Sequence, residues 1–358
     1  MLPLFHFLLD IMATVGIYLL LTLSLNLDAG YCGIPDFGKV LPMAAGAFTV
    51  SLFTGRIATM LLGINGDFVN DNVRVVARIN SVLAANPILS LILLFITLIV
   101  AAIAGAVVAY IAARPAIKRG FGPLALLLLA AGEVIRIIGY NYYPIAGGSV
   151  GVSAPDVFAW AGEYRFVVAS LVLFIAALLT LVFIIRLTSS PLGRMLRAIR
   201  DNEDAANCLG VDTVNVKLKT LMISSAITAI TGALYAFYSA AVISAAYNRA
   251  TWSFIPWAMM LLGGTANNIG VTIGVFIYIF IQKLIDIFKY TLTFIPFNII
   301  WLEFILYGIM IIVILLYKPT GLMPEKPIDT LGIFKTKKLY KFAKSEASNA
   351  QAKRKTET

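Results

Sequence analysis

Apolar runs of membrane-spanning length recur along most of the chain, separated by short polar stretches. A helix needs about 20 apolar residues to cross a bilayer. Eight runs qualify: Leu4–Leu27, Val40–Gly63, Ile88–Ala112, Pro123–Tyr140, Phe166–Leu187, Leu221–Ser244, Val271–Ile287 and Ile299–Tyr317. A ninth apolar piece, Phe254–Gly263, is too short to cross comfortably and ends in GGTANNIG, Gly263 to Gly270. A similar interruption, GYCGIPDFGK from Gly30 to Lys39, separates the first two runs. The pattern predicts an all-α polytopic membrane bundle of about eight clear transmembrane helices, with one or two short or broken helices besides. Non-helical backbone at membrane depth is tolerated only where protein or a water-filled cavity satisfies its polar groups. Broken helices at corresponding places in two halves point to a transport site.

Charge then orients the bundle. Arg114, Lys118 and Arg119 follow the third run, and Arg186, Arg194, Arg197, Arg200, Lys217 and Lys219 lie around a polar stretch after the fifth. Short loops rich in Lys and Arg face the cytoplasm, and two spans separate these loops, so both assignments agree. The loop 64–86 and the loop 141–164 then face outside. Ten of the 28 basic residues fall from Lys318 onward. The chain thus divides into a transmembrane domain, 1–317, and a basic tail, 318–358, expected to be cytoplasmic, disordered and close to anionic lipid. Three spans after the polar stretch would put that tail outside, so Phe254–Gly263 is expected to supply a fourth, short crossing.

Composition narrows the function classes. Of 358 residues, 60% are hydrophobic and 13% charged, against about 25% charged in soluble domains, and the mean hydropathy is +0.91. The net charge of +10 follows loops and tail and is no nucleic-acid footprint. Leu4–Leu27 lacks a basic leader and is long enough to span, so it reads as a helix rather than a cleaved signal. Cys32 and Cys208 lie far apart without metal-ligand spacing, His6 is the only histidine, and no nucleophile–base set is visible. Neither an enzyme nor a metal site is expected.

The polar stretch SPLGRMLRAIRDNEDAANCLGVDTVNVK, Ser190 to Lys217, has helix signals. Ser190 is placed to cap and Pro191 to start a helix. Leu192, Met195, Leu196 and Ile199 recur at i, i+3, i+4 and i+7, one apolar stripe. Gly210 can end the helix, and Asp212 or Thr213 can cap the next, which runs into a span. Ala205 and Ala206 form a small patch where another backbone can come close. By itself the stretch is either an interfacial helix on lipid headgroups or a docking segment.

DAANCLG, Asp204 to Gly210, resembles the EAA-x-x-x-G signature of ABC-importer permeases, with Asp204 where Glu is usual. The longer segment Gly193–Ala236 resembles branched-chain amino acid ABC transporter permeases. So do GYCGIPDFGKVLPMAAGAF (Gly30–Phe48, with Lys39 where His is common), the stretch Arg119–Pro155, and WLEFILYGIMIIVILLYKPTGL (Trp301–Leu322). The resemblance implies a type II-importer-like permease in a prokaryotic plasma membrane. It implies that 190–217 is a coupling segment, with Arg197, Asp204, Ala205, Ala206 and Gly210 serving the ATPase contact. It also implies a second homologous permease, two ATP-binding subunits, an extracytoplasmic substrate-binding protein and a branched-chain amino acid as cargo. The chain has no G-x-x-x-x-G-K-[ST] phosphate loop, so it is expected to bind no cofactor itself, ATP and Mg being held by partners. Close relatives carry urea and short amides, and a self-sufficient secondary transporter is the alternative class.

Three places are candidates for the pathway. Glu133 and Arg136, three apart in the fourth run, can meet each other as a structural pair or line a path for a zwitterion. GGSVGVS, from Gly147, Gly148 and Ser149 to Ser153, offers backbone amides that suit a carboxylate, or is a plain turn. Gly263 and Gly264 open the second interruption.

Overall fold

The computed structural model describes residues 2–64, 66–288 and parts of 305–325. Helix α1 (Leu2–Leu25) continues through a π-helical turn, Asn26–Tyr31. The chain reverses through residues 32–39, with Gly33 at φ +76°. It returns as α2 (Val40–Thr49), a π-helical turn (Val50–Gly55) and α3 (Arg56–Leu61). Next come α4 (Asn72–Ala85), α5 (Pro87–Ala113), α6 (Phe121–Asn141) and the single turn α7 (Tyr143–Ala146). Then follow α8 (Arg165–Ser189), α9 (Pro191–Asp201), α10 (Glu203–Cys208) and α11 (Thr213–Ser239). A π-helical turn at Ala250–Phe254, α12 (Ile255–Gly263) and α13 (Asn268–Phe288) complete the described bundle.

Among the described residues seven helical stretches are long and apolar enough to cross a membrane. They match the first seven predicted runs. The eighth, Ile299–Tyr317, lies largely outside the described residues, as does the tail from Lys326. Two differences from the sequence reading matter most. The sixth span begins at Thr213, eight residues before the predicted Leu221. Loop 64–86 is mostly the helix α4, which buries Val75, Val76, Ile79 and Leu83 along one face.

Three stretches form the centre. In the spans built on α1, α2 and α11, 67%, 78% and 72% of the most apolar window is buried, against 28%, 17% and 28% for those on α5, α6 and α8. The outer three therefore turn most of their surface to lipid or to a partner. Lipid is as apolar as a leucine side chain, so close packing and interhelical hydrogen bonds hold such a core rather than hydrophobic transfer. Ser24 Oγ meets Thr228 Oγ1 at 2.8 Å between α1 and α11, and Thr54 Oγ1 meets Thr97 Oγ1 at 2.6 Å against α5. Aromatic rings anchor the short ninth piece: Tyr18 stacks on Trp252 (centroids 5.7 Å apart), and Tyr235 meets Trp252 edge-on at 4.8 Å.

The piece expected to make a fourth, short crossing is a short apolar helix, Ala250–Gly263. The strand β2 (Ala241–Val242) pairs antiparallel with β1 (Val152–Ser153) at one end of the bundle. From there Ala250–Gly263 carries the chain to the opposite end. There Leu322 N–H donates to Leu262 O and Met323 N–H to Gly263 O, both at 3.0 Å. That end also holds Thr188 and the start of residues 190–217, since Asn268 Nδ2 donates to Thr188 Oγ1 at 3.1 Å.

Candidate functional site

Residues 190–217 form two helices and an elbow rather than one amphipathic helix. Ser190 occupies the cap position before Pro191, but its hydroxyl donates back to Leu187 O at 2.6 Å instead of capping α9. Asn202, in extended backbone, ends α9 and caps α10, its Oδ1 accepting from Ala205 N–H at 2.9 Å. Gly210, at φ +84°, closes α10, and Asp212 caps α11, accepting from Asn215 N–H at 3.1 Å. An ion pair between a buried lysine and a half-buried glutamate locks the elbow. Lys217 Nζ, 2% exposed, lies 2.5 Å from Glu203 Oε2 and 4.6 Å from the centre of the Phe121 ring.

The segment has an inner and an outer side. Leu196, Ile199 and Ala206 are buried within the chain. This corrects the sequence reading for Ala206: adjacent residues on a helix point about 100° apart, so it cannot share the outer face of Ala205. Arg197 also points inward, over the Tyr31 ring at 4.9 Å and donating to Thr188 O at 3.3 Å. Asp204, Ala205, Asn207, Cys208, Leu209 and Gly210 are exposed, Leu209 by 85%.

Beneath this segment lies a charge cluster that sequence reasoning did not single out. Lys39 is fully buried at the end of the first interruption. Its Nζ is 2.7 Å from Asp28 Oδ2, 3.2 Å from Asp36 Oδ2 and 3.1 Å from Ser224 Oγ on α11. Ser224 also hydrogen-bonds Asp28, whose second oxygen, Oδ1, has no protein partner. A lysine inside a Gly-rich break flanked by apolar spans was the available signal. Its partners were hidden because the turn at Gly33 folds positions 28 and 39 together.

The three pathway candidates do not converge. Glu133 and Arg136 form the expected ion pair, with Nε donating to Glu133 Oε1 at 2.9 Å, and each side chain is about 30% exposed on the outer helix α6. Gly147 and Gly148 are buried with φ of +70° and +64°, while Ser149 is exposed. They lie beside a cleft of about 610 Å³ lined in part by Asn72, Tyr143, Gly151 and Ser153. Asn72 fixes that loop, accepting from Ser153 N–H at 2.7 Å. Gly263 and Gly264 sit at the opposite end in tight backbone contact: a Cβ on Gly263 would lie 2.7 Å from the Val271 Cα, and Gly264 faces the Met323 carbonyl. They close a helix junction rather than line a cavity. Among the described residues no cluster of metal-binding side chains occurs.

The family described as "Branched-chain amino acid transport system / permease component" matches residues 7–315. This chain belongs to that family. The permease is 42% identical over 320 residues to a probable branched-chain amino acid transport permease protein LivM of Methanocaldococcus jannaschii, covering 88% of this chain and 92% of the relative. The high-affinity LivM permease proteins of Salmonella typhimurium and Escherichia coli are each 24% identical over 341 residues, which is 88% of this chain and 69% of theirs. No solved structure matches significantly. The permease is therefore an all-α transport subunit of the membrane.

Proposed function

We propose that this permease is one transmembrane subunit of an ATP-driven importer of leucine, isoleucine and valine. It works with a second, homologous permease, two cytoplasmic ATP-binding subunits and an extracytoplasmic substrate-binding protein. The observation that carries this reading is the outer rim of α10. Asp204, Ala205 and Cys208 surround an almost fully exposed Leu209, held out on a helix that is capped at one end and closed by Gly210 at the other. A large apolar tip on a braced polar elbow suits a groove on a partner. Nucleotide and Mg²⁺ chemistry then belongs to that partner. Lys and Arg around the elbow favour the cytoplasmic side of a prokaryotic membrane for it, and the bonds from Leu322 and Met323 to Leu262 and Gly263 favour the same side for the start of the tail.

The second permease is supported by α6. Glu133 is about 18 Å along that helix, near mid-membrane. An ionised pair at this depth does not face hydrocarbon but protein or water. With so little of α6 buried by its own chain, a second permease covers it and sets the pair beside a polar path. A branched aliphatic zwitterion needs few polar groups and otherwise apolar walls, bound weakly enough to leave.

The partnership is tested by co-expression with ATP-binding subunits encoded nearby and a leucine uptake assay. The wild-type complex is expected to take up leucine only with ATP, and Leu209→Asp to lose ATPase association and uptake by about ten-fold or more, burial of an unpaired charge being costly, with folded yield kept. ATP hydrolysis by the permease alone, or full association of Leu209→Asp, refutes the reading.

Orientation is tested on the natural cysteines. Burial, with the nearby Asp28 carboxylate second, pushes the Cys32 thiol up to about 12, so it stays protonated and unreactive, whereas Cys208 is exposed. A membrane-impermeant maleimide is expected to modify Cys208 in inside-out vesicles of the permease without its ATPase. Labelling in intact cells instead would place the elbow outside.

A further inference from the structure

The contacts of Arg200 give the coupling segment a second partner inside the permease itself. Its Nη1 donates to Gly30 O at 2.8 Å, in the first helix interruption. Its aliphatic stem fills the space at Gly33, where a Cβ would come within 2.9 Å of the Arg200 Cγ. Gly33 holds φ +76° there, so the turn is shaped to receive this side chain. Arg197, one turn earlier, covers the Tyr31 ring. A guanidinium holds its donors in a fixed planar fork, so it loses less freedom per hydrogen bond than an ammonium.

From Gly30 the contact continues to the second interruption. A Cβ on Gly30 would come 2.7 Å from Ala266 N, so the two breaks touch backbone to backbone. Asn26, one turn back, accepts from Ala266 N–H at 2.9 Å and donates to Asn268 Oδ1 at 3.0 Å. Asn268 in turn donates to Thr188 Oγ1 at 3.1 Å. Thr188 is the last full turn of α8, and its carbonyl accepts from Arg197 at 3.3 Å. The polar contacts therefore close a ring through the coupling segment, both interruptions and the end of α8, with one direct bond from α9 to the first break.

We propose that Arg200 is the positioning residue through which the coupling segment moves both helix interruptions together. This rests on the reading of the elbow as the ATPase dock. A rotation of α9 drags Gly30 by its carbonyl, and Gly30 takes Ala266 and Asn268 with it. Interruptions in two spans that move as one body change the inner end of the bundle without unwinding either long helix.

The test uses the complex with hydrolysis-deficient ATPase subunits, with and without ATP, followed by hydrogen–deuterium exchange. In wild type, ATP is expected to change exchange at 203–210, 26–39 and 263–270. In Arg200→Ala the change at 203–210 is expected to persist while those at 26–39 and 263–270 fall. With hydrolysing subunits, uptake is expected to drop about ten-fold, the scale of one charge-assisted hydrogen bond, at an ATPase rate within about two-fold of wild type. Arg200→Lys keeps a donor for Gly30 O and is expected to recover part of the response. Unchanged ATP responses at 26–39 in Arg200→Ala overturn the proposal. So does equal loss of assembly, ATPase and uptake in both variants, which marks a purely structural contact. Absence of any ATP response at 203–210 in wild type instead refutes the docking assignment, and the proposal falls with it.

Discussion

Lys39→Met is expected to remove most folded permease from the membrane. The ammonium is fully buried and has two carboxylates within 3.2 Å, Asp28 and Asp36. Without it both carboxylates stay buried and lose the counter-charge that Lys39 supplies. Breaking a buried ion pair by deleting one partner costs about 3–5 kcal/mol, a large share of the roughly 5–15 kcal/mol that holds a typical domain. Asp28→Asn is expected to be milder. Two acids share one base, so the amide still leaves a carboxylate beside the ammonium. Lys39 keeps Asp36, and the amide can still accept from Ser224. Monodisperse yield in detergent and the thermal midpoint by fluorescence-detected gel filtration rank the variants. A milder Lys39→Met than Asp28→Asn would mean that the cluster is not held by its cation.

How legible was this arrangement? The spans were readable because about twenty apolar residues in sequence is a local property. Their ends were less so. Lys217 and Lys219 lower the hydropathy before Leu221, which hid the first two turns of α11. The helix tolerates Lys217 because Glu203, fourteen positions earlier, neutralises it, and only the Gly210 elbow brings the two together. Arg74 and Arg78 likewise masked the apolar face of α4, although Val75, Val76, Ile79 and Leu83 already had helical spacing. In residues 190–217 the break at Asn202 was missed: one helix was read from Ser190 to Gly210, although an Asn followed by Glu203 and Asp204 is a helix-start pattern. The side each residue faces was not readable either. Arg197 points into the permease because α9 lies on the Gly30–Gly33 turn, some 170 residues away in sequence, and Ala206 because α10 folds back against α9 and the start of α11. The charge cluster was the larger omission. Lys39 was noted only for standing where a histidine is common, and its partners on the π-helical turn after α1, in the chain reversal and on α11 belong to the tertiary structure. Glu133 and Arg136, three residues apart, were readable for the opposite reason, because one helical turn brings them together.

Gly46→Leu is expected to abolish the folded bundle, while Gly122→Leu on α6 leaves it intact. Gly46 lies on α2 against α11, and a Cβ there would collide with the Ala229 carbonyl and come 2.7 Å from the Ala229 Cα. Gly232 repeats the contact from the other side, against the Met43 carbonyl of α2. Gly105 brings α5 onto the same stretch, where a Cβ would come 2.6 Å from Ser225 O. Small residues let membrane helices approach closely where lipid supplies no hydrophobic drive between them. The obstructing atoms at Gly46 are backbone, so no rotamer change relieves a leucine and α2 must part from α11. Overpacking ordinarily costs about 1–3 kcal/mol, and a backbone collision at the centre of the bundle belongs at or above the top of that range. Gly122 has nothing within 4 Å of a Cβ, so the same substitution there adds bulk without collision and improves helix propensity. Equal folded yields for the two leucine variants would show that α2 and α11 do not need their glycines. The same contact positions Ser224 of α11 beside Lys39 of the turn. Gly46→Leu and Lys39→Met therefore damage one unit, and their combined loss of stability is expected to be smaller than the sum of the two, as for mutations that share partners.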